Sequence, residues 1–513
     1  VRGRAAVSLA ACVMVQGTAS GVGKSLLAAA LCRIFARAGH RVAPFKSQNM
    51  SLNAAVTADG GEIGRAQAVQ AAAAGIEPTV DMNPILLKPE TDARSQVVVR
   101  GRAVASLDWG GYGRLAPTLW PVIVESLERL RRAHDLVVIE GAGSPAEINL
   151  EFDLANMRVA ALADAPVLLV GDIDRGGVFA ALVGTLALLA PDDRARVAGL
   201  VVNRFRGAAS VLGPGLDLLT ARTGVPVLGV VPHLGEAPLP EEDSLGLESV
   251  PRDVADARLS VAVPRLPRIA NFDDLEPLAA EPGVAVRFVA HPAAVDGSDA
   301  VVLPGSKTTV ADLAWLRERG LDAAIARAAA DGRPVIGICG GYQMLGERLD
   351  DPGHVESDAG RVAGLGLLPV VTTFARDKTT SRVRARVLPG GPFGAAAGAE
   401  VAGYEIHCGR TTAHGGAPVF ALTERVGAPT DAVDGTRAGS VVGTYLHGCL
   451  SSGALRRALL TAVAARRGVA PDTRWGAAVL ADRYDRLADR VAASLDLEAL
   501  GRIARRPLGA VAP

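Results

Sequence analysis

The stretch "VQGTASGVGKS", Val15 to Ser25, decides how the first half of this chain is read. A phosphate-cradling loop is usually spaced G-x-x-x-x-G-K-[ST]. In this chain Thr18 stands where the first glycine belongs, and Gly17 comes one residue early. The context still suits a nucleotide loop. The apolar "ACVMV" before it has the length and valine content of a buried strand, and Ser25–Ala38 after it has a helical pattern. Gly17, Gly21 and Gly23 let backbone amides approach a phosphate, Lys24 adds a point charge, and Ser25 can ligate Mg2+. With Thr18 they form the candidate ATP-binding set.

Working outward, the runs "HRVAPFK", "DLVVIEGAG", "APVLLVGDID", "RVAGLVVNRF" and "VPVLGVVP" are short, rich in Val, Ile and Leu, and bounded by turn residues. Alanine- and leucine-rich helical stretches such as Thr118–Ala133 lie between them. That alternation predicts a parallel sheet covered by helices on both faces. Ligands of such sheets bind beyond the carboxyl ends of the strands. Glu140 falls there, as do Asp172 and Asp174, and carboxylates at that edge suit Mg2+ against ATP. The loop "FKSQNMSLN" gathers Lys46, Ser47, Gln48, Asn49, Ser51 and Asn53, a set suited to a polar or carboxylated substrate.

A Pro-, Glu- and Asp-rich stretch without apolar period follows, read as a linker over residues 236–258. It separates an ATP-dependent domain, 1–235, from a second domain, 259–513, with a helical tail from about Ser452. Alternation resumes with "LSVAVPRL", "VAVRFVA", "DAVVLPGSK", "PVIGICGG" and "VVGTYLHG", so this half is α/β as well. Within it, "GICGG" has the form of a nucleophile elbow. Paired glycines relieve crowding at a strand-to-helix turn, which exposes Cys339 near a helix N-terminus that favours its thiolate. A thiolate needs a base. His447 closes a strand pattern in the same domain, and His407 is the runner-up. Amides at Gly305 and Gly340 are the candidate oxyanion hole. Zinc is disfavoured, since the H-C and H-x-C spacings at His407, Cys408, His447 and Cys449 are not usual zinc pairs.

Composition bounds the rest. With 513 residues, two or three domains are expected. Lys plus Arg equals Asp plus Glu at 54 each, and aromatics are 4%, so neither nucleic acid nor an anionic membrane is an expected partner. Five scattered cysteines with no C-x-x-C indicate a reducing, cytoplasmic setting. The start, "VRGRAAVSLAACVMV", imitates a signal peptide but flows into the glycine loop as a first strand should. No uncharged apolar run is long enough to span a bilayer. A homo-oligomer is compatible with these numbers.

The motifs now support a resemblance. "GICGGYQMLG" with "GTYLHG" resembles the triad-type class I glutamine amidotransferases, and "VQGTASGVGKS" with "EGAGSPAEINL" resembles the dethiobiotin-synthetase-like ATP-binding fold. Their pairing in this order is that of the cobyrinic and cobyric acid synthases. "FKSQNMSLN", "GGEIGRAQAVQA", "DMNPILLKP", "GDIDRGGVFA", "LPGSK" and "GYEIHCGRT" are similar to the cobyric acid synthase branch, the CobQ/CbiP family. The resemblance implies two doubly wound domains. It also implies ATP- and glutamine-dependent amidation of the b, d, e and g carboxylates of a corrinoid, adenosylcobyrinic acid a,c-diamide, with ATP and Mg2+ as cofactors. Carried over, Cys339 is the nucleophile, His447 its base, Lys24 and Ser25 bind phosphate and Mg2+, and Glu140 and Asp59 are further metal ligands.

Three departures accompany it. "HGC" replaces the His-Pro-Glu of many relatives, so the group orienting His447 is unassigned, with Glu405 a guess. Ala208 replaces an acid, and extra residues before the first strand leave the translation start open. The alternative is an a,c-diamide synthase of the same architecture, against which "SQNMSLN" argues. A cell-wall amidotransferase is disfavoured by the amino-terminal ATP loop, and a partitioning-type ATPase switch leaves the cysteine elbow unexplained.

Overall fold

The computed structural model describes residues 9–147, 153–234, 257–477 and 483–508. Residues 1–8, most of the linker reading (235–256) and Ile148–Leu150 of the "EGAGSPAEINL" string lie outside the described residues. The chain divides into two compact units.

The first unit is built on a six-stranded parallel sheet. Its order is Val227–Pro232, Val197–Phe205, Val167–Asp172, Ala11–Gly17, Leu136–Glu140 and Val42–Phe45. Every strand expected from the apolar runs is present. Both faces are buried because side chains alternate: Val13 and Val15 pack with the helix Lys24–Arg37, while Met14 packs on the opposite face with Ile139 and Leu169. A smaller sheet of Gln48–Met50, Ile85–Pro89, Arg94–Val99 and Arg102–Asp108 was not anticipated from the sequence.

In the second unit the order is Val284–Val289, Leu259–Pro264, Ala300–Leu303, Val335–Ile338, Val441–Thr444 and Thr436–Ala438, parallel except for the last pairing. Beside it stands a seven-stranded sheet centred on the long antiparallel pair Val370–Val387 and Glu400–Ala413. No helix among the described residues is long and apolar enough to cross a membrane.

Two segments depart from the sequence-based boundaries. Residues 483–508, expected in the second domain, belong to the first unit. The cause is the apolar face of the helix Arg483–Ala492, where Leu487, Ala488 and Val491 are buried in one cluster with Leu27 and Leu31. Arg33 pairs bidentately with Asp485 at 2.8 Å, and strand residue Gly229 bridges Leu495. A Cβ on Gly229 would stand 2.0 Å from the Ser494 carbonyl, so only glycine admits this approach. Conversely, residues 52–62, expected in the first domain, belong to the second unit.

Leu487 is fully buried. Truncation leaves a cavity, so Leu487→Ala is expected to lower unfolding stability by about 2–5 kcal/mol. Denaturant melts of the full chain measure this, and a loss of under about 1 kcal/mol would mean the tail does not pack as described.

Candidate functional site

The first unit gathers its polar groups at the carboxyl ends of the central strands. The main chain is left-handed at Gly23, with φ 95°, where the loop turns into the helix Lys24–Arg37. A Cβ there would meet the Asn203 amide at 2.2 Å, so the turn requires glycine. Lys24 is buried, and its Nζ donates to the carbonyls of Ala19 and Gly143, both at 2.9 Å, spanning the loop. The misfit at Thr18 has a plain cause. Its N–H donates to the Val170 carbonyl at 2.9 Å and so continues the strand ladder. Thr18 follows directly on the strand Ala11–Gly17, and its hydroxyl stays in the candidate ATP-binding set.

Glu140 is the centre of this site. It is 1% exposed, and Oε1 accepts from Ser25 Oγ at 2.8 Å and from Lys46 Nζ at 2.9 Å, while Oε2 accepts from Gln70 Nε2 at 2.5 Å. Burial alone would raise its pKa, but the Lys46 ammonium and these hydrogen bonds outweigh that and hold it low. One carboxylate beside one hydroxyl is a donor set that fits Mg2+, a hard cation that keeps waters and takes phosphate oxygens for its remaining positions.

The polar loop divides. Lys46 reaches Glu140, Ser47 Oγ donates to the Leu154 carbonyl at 2.6 Å, Asn49 Nδ2 donates to Gln67 Oε1 at 3.0 Å, and Gln48 Oε1 accepts from the Tyr112 hydroxyl. Ser51 is buried in the same unit. Asn53 and Asp59 belong to the second unit instead, where Asp59 accepts from the Thr57 hydroxyl. Asn53 and Asp59 are thus assigned to a different compact unit from Lys46, Ser25 and Glu140. Asp172 accepts from Arg204 at 3.1 Å, and Asp174 from Arg206 at 2.9 Å.

In the second unit, Cys339 occupies a backbone conformation of φ 53°, ψ −108°, which L-residues rarely adopt. The turn is crowded: a Cβ on Gly341 would stand 2.1 Å from the Leu303 carbonyl. Cys339 N–H donates to the Thr444 carbonyl at 2.8 Å, and its Sγ lies 3.4 Å from the Ile406 carbonyl. His447 is 1% exposed and stacks on Tyr404, with ring centroids 5.1 Å apart. Its Nδ1 lies 2.6 Å from Asp274 Oδ2, and Asp274 Oδ1 accepts from Gly448 N at 2.7 Å. Burial would push this imidazole down. The Asp274 carboxylate and hydrogen-bonded Cys339 outweigh burial and hold it at about 10.

Asp274 thus orients His447, and Glu405 does not: Glu405 Oε1 accepts from Arg425 at 3.0 Å. The sequence carries two adjacent acids in "NFDDLEPL", but they lie far from both Cys339 and His447 in the chain. His407 is not the base. It stacks on Tyr445 at 3.7 Å, its Nδ1 donates to the Gly409 carbonyl at 2.7 Å, and burial pushes its pKa down to about 4. The oxyanion expectation also shifts. Gly305 pairs with Ala270 antiparallel, and the Lys307 N to Arg268 O bond puts that couple in the hydrogen-bonded register. The Gly305 N–H is thereby turned to Ala270. Ser306 N lies 2.8 Å from where a Cβ on Gly340 would be, so these two backbones approach closely.

A strained thiol beside a carboxylate-backed imidazole, and in the other unit a phosphate loop with a buried carboxylate, define a class: a glutamine-dependent amide ligase. Residues 13–244 match the CobQ/CobB/MinD/ParA nucleotide binding domain, and residues 260–455 match the CobB/CobQ-like glutamine amidotransferase domain. The chain is 57% identical to the cobyric acid synthase of Sorangium cellulosum over 511 residues, covering 96% of this chain and 98% of the relative. It is 51% identical to that of Moorella thermoacetica (98% and 99% covered) and 48% identical to that of Dehalococcoides mccartyi strain CBDB1 (96% and 98% covered). The chain belongs to the cobyric acid synthase family.

The raised His447 pKa has a definite sign. Folding is favoured by this proton below the ordinary value of 6.5, and that gain is lost as pH rises towards about 10. Asp274→Asn removes the charge that holds the proton, so the His447-linked inflection in Cys339 alkylation against pH should move below 10. Glutaminase kcat should fall about 10²-fold or more. An unmoved inflection would mean that another group sets the imidazole.

Proposed function

We propose that this chain amidates the b, d, e and g side-chain carboxylates of adenosylcobyrinic acid a,c-diamide in the cytosol, at the expense of glutamine and ATP. The single observation carrying the glutaminase half is the Cys339–His447–Asp274 geometry, with its 2.6 Å imidazole–carboxylate contact. Membership of the family supplies the corrinoid substrate.

His447 takes the Cys339 thiol proton, and the sulfur attacks the glutamine carboxamide carbon. Ser306 and Gly340 amides receive the developing oxyanion; Gly340 opens the helix Gly340–Leu345, where N–H groups lack intrahelical acceptors. Collapse expels ammonia, which leaves with the proton held by His447, and a glutamyl thioester remains. Water then attacks the thioester, releasing glutamate and regenerating the thiol.

In the first unit a corrinoid carboxylate oxygen attacks the γ-phosphorus of ATP, giving an acyl phosphate and ADP. Ammonia attacks its carbonyl, the C–O bond to phosphate breaks, and amide and inorganic phosphate result. Lys24 and the amides around Gly21 and Gly23 hold the phosphates, while Lys46, Ser47, Gln48, Asn49 and Ser51 flank the acceptor. Ser25 and Glu140 would hold Mg2+, which neutralises phosphate charge when bound.

Incubation of the protein with the corrinoid diamide, ATP and glutamine, read by mass spectrometry, should show four added amides; recovery of the unchanged diamide would overturn the substrate assignment. Cys339→Ala should abolish glutamine-driven product and retain ammonia-driven product. Glutamine use by that variant would remove Cys339 from the mechanism.

A further inference from the structure

The segment 52–62 lies inside the stretch that matches the nucleotide binding domain, yet it belongs to the amidotransferase unit. It is fastened there along its length. Glu62, 1% exposed on its side chain, pairs with Lys378 at 2.5 Å. Arg382 Nε donates to the Val56 carbonyl at 2.8 Å, and the turn between is closed by Thr57 N to Gly61 O at 2.8 Å.

Its amino-terminal end meets the catalytic loop. Asn271 N–H donates to Asn53 Oδ1 at 2.6 Å, and Ala54 N–H donates to Asn271 Oδ1 at 2.8 Å. This reciprocal clamp fixes the Asn271 carboxamide orientation, because a backbone N–H can only donate and the atom it faces must be oxygen. The other end of the carboxamide, Nδ2, then lies 3.5 Å from His447 Nε2. Asn271 is 3% exposed, holds a left-handed backbone at φ 53°, and stands three residues before Asp274. One short loop therefore bears on both imidazole nitrogens: Asp274 on Nδ1 and Asn271 on Nε2, the nitrogen that serves Cys339.

We infer that Asn271 is a positioning residue for His447 and that Asn53 holds it in place, so the glutaminase site is completed by a segment of the amino-terminal sequence. This rests on the Cys339–His447 reading above. The Nδ2 group, 3.5 Å from Nε2, abuts the ring edge and resists rotation of the ring away from the sulfur. Loss of either asparagine frees the loop 271–274. A displacement of about 1 Å at a reacting group costs roughly 10²-fold in rate.

The test uses the full chain with Asn53→Ala, Asn271→Gly and the double variant. Glycine suits position 271 because the backbone there is already left-handed, so N271G carries the test even if N53A does not accumulate. Each single variant should lower glutaminase kcat about tenfold or more, with KM for glutamine within roughly twofold. Ammonia-driven product should stay within roughly twofold of the parent, and the pH profile of Cys339 alkylation should shift. The double variant should be no slower than the slower single one, since both act through one clamp. Equal loss of glutamine- and ammonia-driven rates would overturn the inference, as would an unchanged glutaminase or strictly additive losses. Cys339→Ala, run in parallel, separates the two levels: if it still uses glutamine the glutaminase reading itself fails, whereas its failure to do so beside unaffected asparagine variants sinks only the clamp.

Discussion

Both sites depend on one constraint: the connection from a central parallel strand into its helix has no room for a side chain at the turn. At Gly23 the obstacle is the Asn203 amide, and at Gly341 it is the Leu303 carbonyl. Meeting the constraint with glycine brings the next residues to the sheet edge in fixed directions. In one unit those residues are Lys24 and Ser25; in the other the residue just before the turn is Cys339, left at φ 53°. The strain at Cys339 is tolerated because Thr444 on one side and the helix Gly340–Leu345 on the other over-determine its place.

The sequence was most informative where local physics decides structure. The eleven expected strands of the two parallel sheets follow from short apolar runs, because strands buried on both faces need continuous Val, Ile and Leu. The smaller sheets escaped notice. Strands such as Arg94–Val99 and Val370–Val387 carry mixed polar residues on exposed faces, so no single period stands out. The two misplaced segments failed for another reason. The tail helix Arg483–Ala492 is amphipathic in any reading, but nothing local says which core its Leu487 joins. Likewise "SQNMSLN" showed an excess of polar groups without showing that Asn53 turns to Asn271 while Lys46 turns to Glu140. Asp274 was hidden for the same cause, since its partner is 173 residues away.

Buried carboxylates supply the electrostatics of both units, and comparison of the two explains their different uses. Glu140 accepts from a lysine, a hydroxyl and an amide, and the Lys46 charge beside it holds its pKa low although it is out of water. Such a group is costly to bury unless each oxygen is satisfied, and its setting satisfies both. Asp274 is held by fewer groups, the Gly448 amide and the imidazole itself.

The nature of the partner then decides the outcome. Lys46 lies 2.9 Å from Glu140 as its paired charge, at the loop end of the sheet. His447 can lose its proton, and Asp274 works on that equilibrium, lifting it against the effect of burial to about 10. Chemistry between a thiol and an imidazole needs a fixed ring. The ring is clasped by Tyr404 on its face, Asp274 at Nδ1 and Asn271 near Nε2, so the amidotransferase chemistry depends as much on orientation as on charge.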